Sequence, residues 1–200
     1  WRIRLDSTTS CLALEVRDPD LLLTNFYTLD TNTHTLRKLD LPQAQAWWQG
    51  LEDAEYGFLY LHGYGNRQLG QHKGIVALQE QSGQNVWEAQ ELAFYGVSAA
   101  GLVAYDPQQP EAPLKVLSPD TGKPLGITYT QQQAAEEVAG HSHARYHACQ
   151  HPVMYRQGEE YFEQVRDFLL EQLQVQAVQA IEYAETDTCL VVSFYTLGSD

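Results

Sequence analysis

The chain has 200 residues, of which 44% are hydrophobic and 11% aromatic, and this composition is typical of a folded globular protein. Its 26 acidic and 12 basic residues give a formal net charge of −14, which repels phosphate backbones and anionic lipid surfaces. Nucleic acids and membranes are therefore not expected as partners. Cationic ligands, metal ions and basic proteins suit the negative field better.

Three cysteines, Cys11, Cys149 and Cys189, are too few and too scattered for a disulfide framework. Free thiols favour a cytoplasmic location over a periplasmic one. No apolar run reaches the roughly 20 residues that a transmembrane helix needs.

The first third of the chain predicts antiparallel strands. Residues 11–16 alternate between apolar and polar, and residues 21–29 form an apolar run. A polar turn that contains Pro19 separates them, as in a hairpin. Further strands are predicted at residues 57–61, 75–78, 92–97, 101–105 and 114–117.

One unit, an apolar strand followed by a polar turn and an apolar return, occurs at residues 26–36, 74–87 and 114–125. Its central leucines, Leu29, Leu78 and Leu117, lie 49 and 39 residues apart. A period of about 40–50 residues is typical of the four-stranded blades of a β-propeller. Residues 1–126 are therefore predicted to form three propeller-like blades.

Tryptophans follow a similar period, since Trp1, Trp48 and Trp87 lie 47 and 39 residues apart. Bulky indole rings at repeat boundaries are expected to fill the space between packed sheets.

The remaining residues predict a C-terminal α+β segment. Residues 131–138 favour a short exposed helix that ends at Gly140, within a histidine-rich connection over residues 127–157. Residues 158–200 predict an amphipathic helix opening at Glu159-Glu160, followed by a hairpin of strands 175–183 and 189–197, packed on the same domain. The apolar stripe of that helix comprises Phe162, Val165, Phe168, Leu169 and Leu173.

Closing a propeller ring normally takes at least four blades, and three alternatives stay open for this chain. The chain is a fragment of a longer array, or the C-terminal hairpin completes the ring with the N-terminal strand. In the third alternative, the sheets stack without closing and bury an edge in a homodimer.

The densest group of potential ligands is the run 141–151, with four histidines and one cysteine. If this run is helical, His143, His147 and His151 share one face and offer nitrogens to a zinc ion at about 2.0–2.1 Å. Pro152 interrupts helical continuation, and an irregular, solvated connection is the alternative interpretation.

A second candidate site is the segment 62–74, read as a long polar loop with glycines and local positive charge. His62, Tyr64, Arg67 and His72 are predicted to bind a ligand there, with Arg67 and main-chain N–H groups suited to an anionic or hydroxyl-rich molecule. The alternative is an irregular hairpin with solvated charges.

Residues 74–87, with the order Ala-Leu-x-x-x-Ser-Gly-x-x-x-Trp, and residues 117–125 resemble quinoprotein-type (PQQ-like) propeller repeats. The wider runs 14–18, 47–53 and 59–65 are similar to an uncharacterised bacterial family of unknown function. The resemblance implies a propeller-like fold and supplies no catalytic residues.

The sequence therefore predicts a mostly β fold of propeller-like antiparallel blades with a C-terminal α+β segment. We expect a non-enzymatic binding or scaffolding protein that binds a protein or small-molecule partner and needs no cofactor. The alternative is a zinc-binding protein or metal-dependent hydrolase that uses His143, His147 and His151.

Overall fold

The computed structural model describes residues 2–41, 47–66, 70–147 and 149–197. Of these residues, 51% lie in strands and 16% in helices, so the prediction of a mostly β protein is confirmed. The chain divides into two units, Trp1–Arg145 and Tyr146–Asp200, and the predicted helix at residue 131 belongs to the first of them. Neither helix of the described residues is long and apolar enough to span a membrane.

Three four-stranded antiparallel sheets follow one another in the first unit, and in each sheet consecutive strands pair. The first sheet comprises β1 Arg2–Asp6, β2 Cys11–Asp18, β3 Leu23–Asp30 and β4 Thr35–Leu39. The second comprises β5 Gly50–Glu55, β6 Phe58–Asn66, β7 Gln71–Gln79 and β8 Asn85–Ala89. The third comprises β9 Ala93–Ser98, β10 Gly101–Tyr105, β11 Leu114–Leu117 and β12 Pro124–Tyr129.

The three sheets repeat one another in register. A leucine pair occupies the equivalent position of each sheet: Leu12 with Leu29, Leu59 with Leu78, and Leu102 with Leu117. In the second and third sheets this pair is buried against the preceding sheet. Successive side chains alternate between faces, so the next residue along the second strand packs toward the following layer. Ala13, Tyr60 and Val103 take that position.

Trp87 fills the boundary between the second and third sheets. Its indole N–H donates to the carbonyl oxygen of Pro119 at 2.6 Å, and its ring lies on Gly122, where a Cβ would come within 2.4 Å of it. The predicted role of Trp48 as a buried wedge is wrong, because 39% of Trp48 is exposed. Trp1 lies outside the described residues.

Helix α1, Gln131–Tyr146, covers the face of the third sheet that points away from the second. Ala134 is buried with Val103 and Leu114, and Val138 packs on Gly96, where a Cβ would lie 2.5 Å from Val138 Cγ1. The predicted helix end at Gly140 is wrong. The helix continues through that glycine to Tyr146, and Arg145 anchors the last turn to β1 and β5.

The second unit contains one three-stranded antiparallel sheet in the order β13-β14-β15, with a helix connecting its first two strands. Its elements are β13 Val153–Arg156, α2 Glu160–Leu173, β14 Ala177–Glu185 and β15 Leu190–Thr196. The amphipathic helix and the hairpin are confirmed, whereas β13 was not predicted. Phe162 and Leu169 are buried against Ile181, but Phe168 and Leu173 of the predicted stripe are exposed.

Candidate metal centre

Two β-bulges shape one end of the second sheet. In β5, Leu51 pairs with Leu61 and Asp53 with Tyr60, so Glu52 is an extra residue without an opposite partner. A bulge of this kind bends the strand and re-aims the side chain of the extra residue. The carboxylate of Glu52 therefore need not follow the in–out alternation of its strand.

The second bulge lies between β6 and β7. His62 pairs with Ile75 and Gly63 with Lys73, which leaves Gly74 as the extra residue, in the left-handed region at φ 85°. Glycine takes this conformation without the steric cost of a Cβ. Beyond the bulge the ladder resumes, so the predicted loop over residues 62–74 is wrong for most of its length: residues 62–66 and 71–74 are strand.

These bulges bring Glu52, His62 and His72 together. The Nδ1 atoms of His62 and His72 lie 2.8 and 2.7 Å from the same oxygen, Oε1 of Glu52. The two imidazole rings are stacked, with centroids 3.5 Å apart and planes 12° from parallel. Among the described residues, these three form the one group of at least three potential ligands whose donor atoms all lie within 4.8 Å of one another.

Aromatic rings line one side of this group. Tyr64 stands edge-on to both imidazoles, at centroid distances of 5.2 Å to His62 and 5.3 Å to His72. Trp48 in turn stands edge-on to Tyr64 at 6.0 Å. Such rings limit the orientations of the imidazoles and exclude water from one side of the cluster.

Gly50 fixes the position of His62 from the opposite side. A Cβ on Gly50 would lie 2.5 Å from Cε1 and 2.9 Å from Nε2 of His62, so only glycine leaves room for the ring. Arg17 holds the segment before β5, because it donates to the carbonyl oxygens of Trp47 and Gln49. The first sheet thereby positions the residues that lead into the cluster.

The carboxyl group of Glu52 is ionised more readily than usual. Burial raises its pKa, but the close contacts and charges of His62 and His72 outweigh burial and leave the pKa below its ordinary value. Arg2 adds a positive charge 3.8 Å from Oε2. An ionised carboxylate is the form that binds a metal ion.

The ring nitrogens of His62 are poorly paired by the residues that the structure describes. The side chain is only 1% exposed, and within the described residues neither nitrogen makes a hydrogen bond of good geometry, although Nδ1 lies 2.8 Å from Oε1 of Glu52. A buried polar group in this state costs about 1–3 kcal/mol. A cation placed between the Nδ1 atoms and Oε1 would satisfy one of these nitrogens.

Two imidazoles and one carboxylate are a ligand set that suits zinc and other divalent transition metals. Donor atoms about 2.0–2.2 Å from a tetrahedral ion are separated by about 3.3 Å. Glu52 and the two Nδ1 atoms would therefore need to move apart by roughly half an ångström, which side-chain rotation supplies.

The structure brings together three of the residues predicted from the 62–74 segment, namely His62, Tyr64 and His72. Arg67 lies outside the described residues. Glu52 was not predicted, although the adjacent acidic residues Glu52-Asp53 break the alternation of their strand, which is a signal of a bulge.

The predicted metal residues His143, His147 and His151 are all exposed. His143 lies in α1, His147 follows the end of the helix, and His151 precedes β13. The helical face that would unite them therefore ends at Tyr146. A metal site at these three residues stays a prediction.

A second charged cluster lies next to the first and is built around Arg145. Its guanidinium donates to both carboxylate oxygens of Asp53 at 2.9 and 3.0 Å and to the carbonyl oxygens of Leu5 and Ala54 at 2.6 Å each. Its Nε lies 2.9 Å from Oε2 of Glu55. These contacts involve all three guanidinium nitrogens, so the cluster joins α1 to β1 and β5.

A sequence-family model described as a domain of unknown function (DUF4905) matches residues 5–87. The match spans most of the first two sheets and includes Glu52, His62 and His72. No curated protein matches the chain. No solved structure matches it either.

Proposed function

We propose that this protein is a non-enzymatic binding protein that holds one divalent transition-metal ion at Glu52, His62 and His72. The three antiparallel sheets serve as successive blades of a propeller-like array, and the second blade carries the metal centre. Zinc, which accepts nitrogen and carboxylate ligands without a fixed geometric demand, is the metal that this ligand set suits best.

One observation carries the proposal: the Nδ1 atoms of two imidazoles converge on one carboxylate oxygen of Glu52, and the buried imidazole of His62 makes no hydrogen bond of good geometry to the described residues. Structural residues in protein interiors normally have their hydrogen bonds satisfied. His62 departs from this rule, and a cation between the two imidazoles and the Glu52 carboxylate would give its Nδ1 a partner.

A binding role is favoured over metal-dependent hydrolysis by the neighbouring carboxylates. A zincin-type hydrolytic site places a general base beside the metal in addition to its ligands. Asp53 and Glu55, the other acidic residues of β5, are bound by Arg145 and are not available for proton transfer at the metal.

The test is calorimetric titration of zinc into protein purified without an affinity tag, for the wild type and the variants Glu52→Gln and His72→Ala. His62 is left intact because its removal would open a cavity in the sheet. We expect one zinc ion per wild-type chain and affinity at least about 100-fold lower in each variant, since loss of an outer-sphere partner alone costs 10- to 100-fold. Affinity should fall as the pH is lowered, because protons compete with the metal for imidazole nitrogen.

The matched control is His143→Ala, which removes an exposed histidine of the other predicted cluster. It should bind zinc as the wild type does. The proposal fails if the wild type binds no metal, or if Glu52→Gln and His72→Ala bind as tightly as the wild type. Weakened binding by His143→Ala alone would favour the histidine-rich connection instead.

A further inference from the structure

We infer that Arg4 and Glu15 of the first sheet are positioning residues of the metal site, because they hold the bulge of β5 that orients Glu52. The inference rests on the proposed function and extends it from the ligands to the residues that place one of them. Both residues act on the main chain of β5. Arg4 donates from Nε to the carbonyl oxygen of Glu52 at 2.8 Å, and Glu15 accepts from the N–H of Leu51 at 2.6 Å.

Strand β5 is an edge strand of the sheet that the structure describes, so the outer row of its main-chain groups does not face another strand of that sheet. Leu51 is nevertheless fully buried, and buried N–H and C=O groups need hydrogen-bond partners. Charged side chains of the first sheet supply them. Glu15 accepts from the N–H of Leu51, and Arg2 donates to its carbonyl oxygen at 2.7 Å. The outer edge of β5 is therefore bound by side chains in place of a strand.

The carbonyl groups on this edge show how the bulge is stabilised. In a regular strand, the carbonyl groups of consecutive residues point to opposite edges. Here the carbonyl oxygens of Leu51 and Glu52 both accept from arginines of β1, so both point toward the first sheet. The bulge leaves Glu52 without an opposite residue in β6, and Arg4 supplies a donor to its carbonyl oxygen from outside the ladder.

The carboxylate of Glu15 is itself fixed at both oxygens. The residue is only 3% exposed, and its Oε1 accepts from Nε of Arg17 at 2.5 Å while Oε2 accepts from Leu51. Arg17 also donates to the carbonyl oxygens of Trp47 and Gln49. The segment that leads into the bulge is therefore tied to the first sheet at successive points.

Loss of these contacts should change where the carboxylate of Glu52 points. Side chains alternate between the faces of a strand, so a shift of one residue in register moves a side chain to the opposite face. A Glu52 carboxylate released from the bulge would no longer face His62 and His72. Mutation of residues that orient a metal ligand without binding the ion typically lowers metal affinity by roughly 10- to 100-fold.

The test is the zinc affinity of Arg4→Met and Glu15→Gln, measured by calorimetric titration of untagged protein. Methionine cannot donate to the Glu52 carbonyl, and a glutamine amide at position 15 offers one acceptor oxygen in place of two. Each variant should bind zinc at least about 10-fold more weakly than the wild type. Coulomb repulsion alone predicts the opposite for Arg4→Met, because removal of a nearby positive charge favours a bound cation.

Arg37→Met is the matched control, since it removes the same charge from an exposed position on β4 of the first sheet. It should bind zinc as the wild type does. Arg4 is half-buried, so Arg4→Met carries the test if a change at the buried Glu15 prevents folding. Wild-type or higher zinc affinity of Arg4→Met would overturn the inference, as would an equal loss in Arg37→Met.

A double-mutant cycle with Glu52→Gln separates positioning from a general loss of stability. If Arg4 acts through Glu52, Arg4→Met should weaken zinc binding in the wild type and not in the Glu52→Gln background. An equal loss in both backgrounds would refute the positioning role. A wild type that binds no zinc removes the proposed function and this inference together, whereas zinc binding that Glu52→Gln weakens and Arg4→Met does not removes the inference alone.

Discussion

Two charged clusters meet at β5, and they differ in the hydrogen bonds that their basic side chains make. The guanidinium of Arg145 binds the carboxylate of Asp53, lies against Glu55 and donates to two main-chain carbonyl groups. Glu52, one residue before Asp53, is contacted by two histidines, and the buried one makes no hydrogen bond of good geometry to the residues that the structure describes. The Arg145 cluster stabilises the fold, whereas the cluster of Glu52, His62 and His72 is suited to a ligand.

The largest effect on stability is expected at the Arg145 cluster. Arg145→Ala leaves the buried Glu55 and the half-buried Asp53 without their positive partner, and breaking a buried ion pair in this way costs about 3–5 kcal/mol. The free energy of unfolding, measured in denaturant, should fall by that amount. The contacts of α1 with the third sheet should loosen at the same time.

The matched control for this change is Arg37→Ala, which removes an exposed arginine from the edge strand β4. Its effect should stay within about 0.5 kcal/mol, as for surface positions in general. An Arg145→Ala variant as stable as Arg37→Ala would show that the Arg145 cluster does not hold α1 in place.

A smaller effect on stability is expected at Gly50, which packs against His62 in the cluster of Glu52, His62 and His72. Gly50→Ala forces a methyl group against the ring of His62, and overpacking of this kind typically costs about 1–3 kcal/mol. The displaced imidazole should also bind zinc more weakly, which calorimetric titration measures.

Gly140→Ala is the control, and it should change the stability of the protein in the opposite direction. Gly140 lies within α1, and its surroundings leave space for a methyl group. Alanine there should stabilise the protein by about 0.5–1 kcal/mol, because glycine loses more backbone entropy in a helix. A Gly50→Ala variant that is as stable as the wild type, or is stabilised as Gly140→Ala is, would refute the tight fit of His62 on Gly50.

The smallest effect is the pH dependence of the Glu52 contribution. The pKa of this carboxyl is lower in the folded protein than its ordinary value of 4.5, because the close contacts and charges of the histidines outweigh burial. Its contribution to stability is therefore fully present above about pH 4.5 and is lost as the pH falls through the lower, folded-state pKa.

Unfolding curves of the wild type and Glu52→Gln as a function of pH measure this contribution. The difference in unfolding free energy should be constant near neutral pH and shrink below about pH 4.5. A difference that stayed constant, or grew, in acid would contradict an ionised Glu52.

Local patterns in the sequence predicted much of the fold. Alternation and turn residues located the hairpins, and the spacing of Leu29, Leu78 and Leu117 identified three positions that the strand register proves equivalent. The spacing of Trp48 did not identify a buried position between sheets, because the ring of Trp48 packs beside Tyr64 on the surface. The end of α1 was missed because Arg145, a residue 92 positions from Asp53, stabilises its last turn.

The candidate site was only half predictable. His62, Tyr64 and His72 lie on one hairpin, so the sequence alone placed them together. Glu52 lies on β5, the strand that precedes this hairpin and pairs with β6, and a bulge brings its carboxylate to the histidines. The register shift that creates the bulge depends on the pairing of β5 with β6. Nonlocal pairing of this kind leaves only a weak mark in the sequence.

A crystal structure of the zinc-treated protein, with anomalous differences recorded on either side of the zinc absorption edge, tests the central claim most directly. We predict one strong anomalous peak about 2.0–2.2 Å from Glu52 and from a nitrogen of each of His62 and His72. A peak at His143, His147 or His151 instead, or no peak at all, would contradict the assignment of the metal centre to the second sheet.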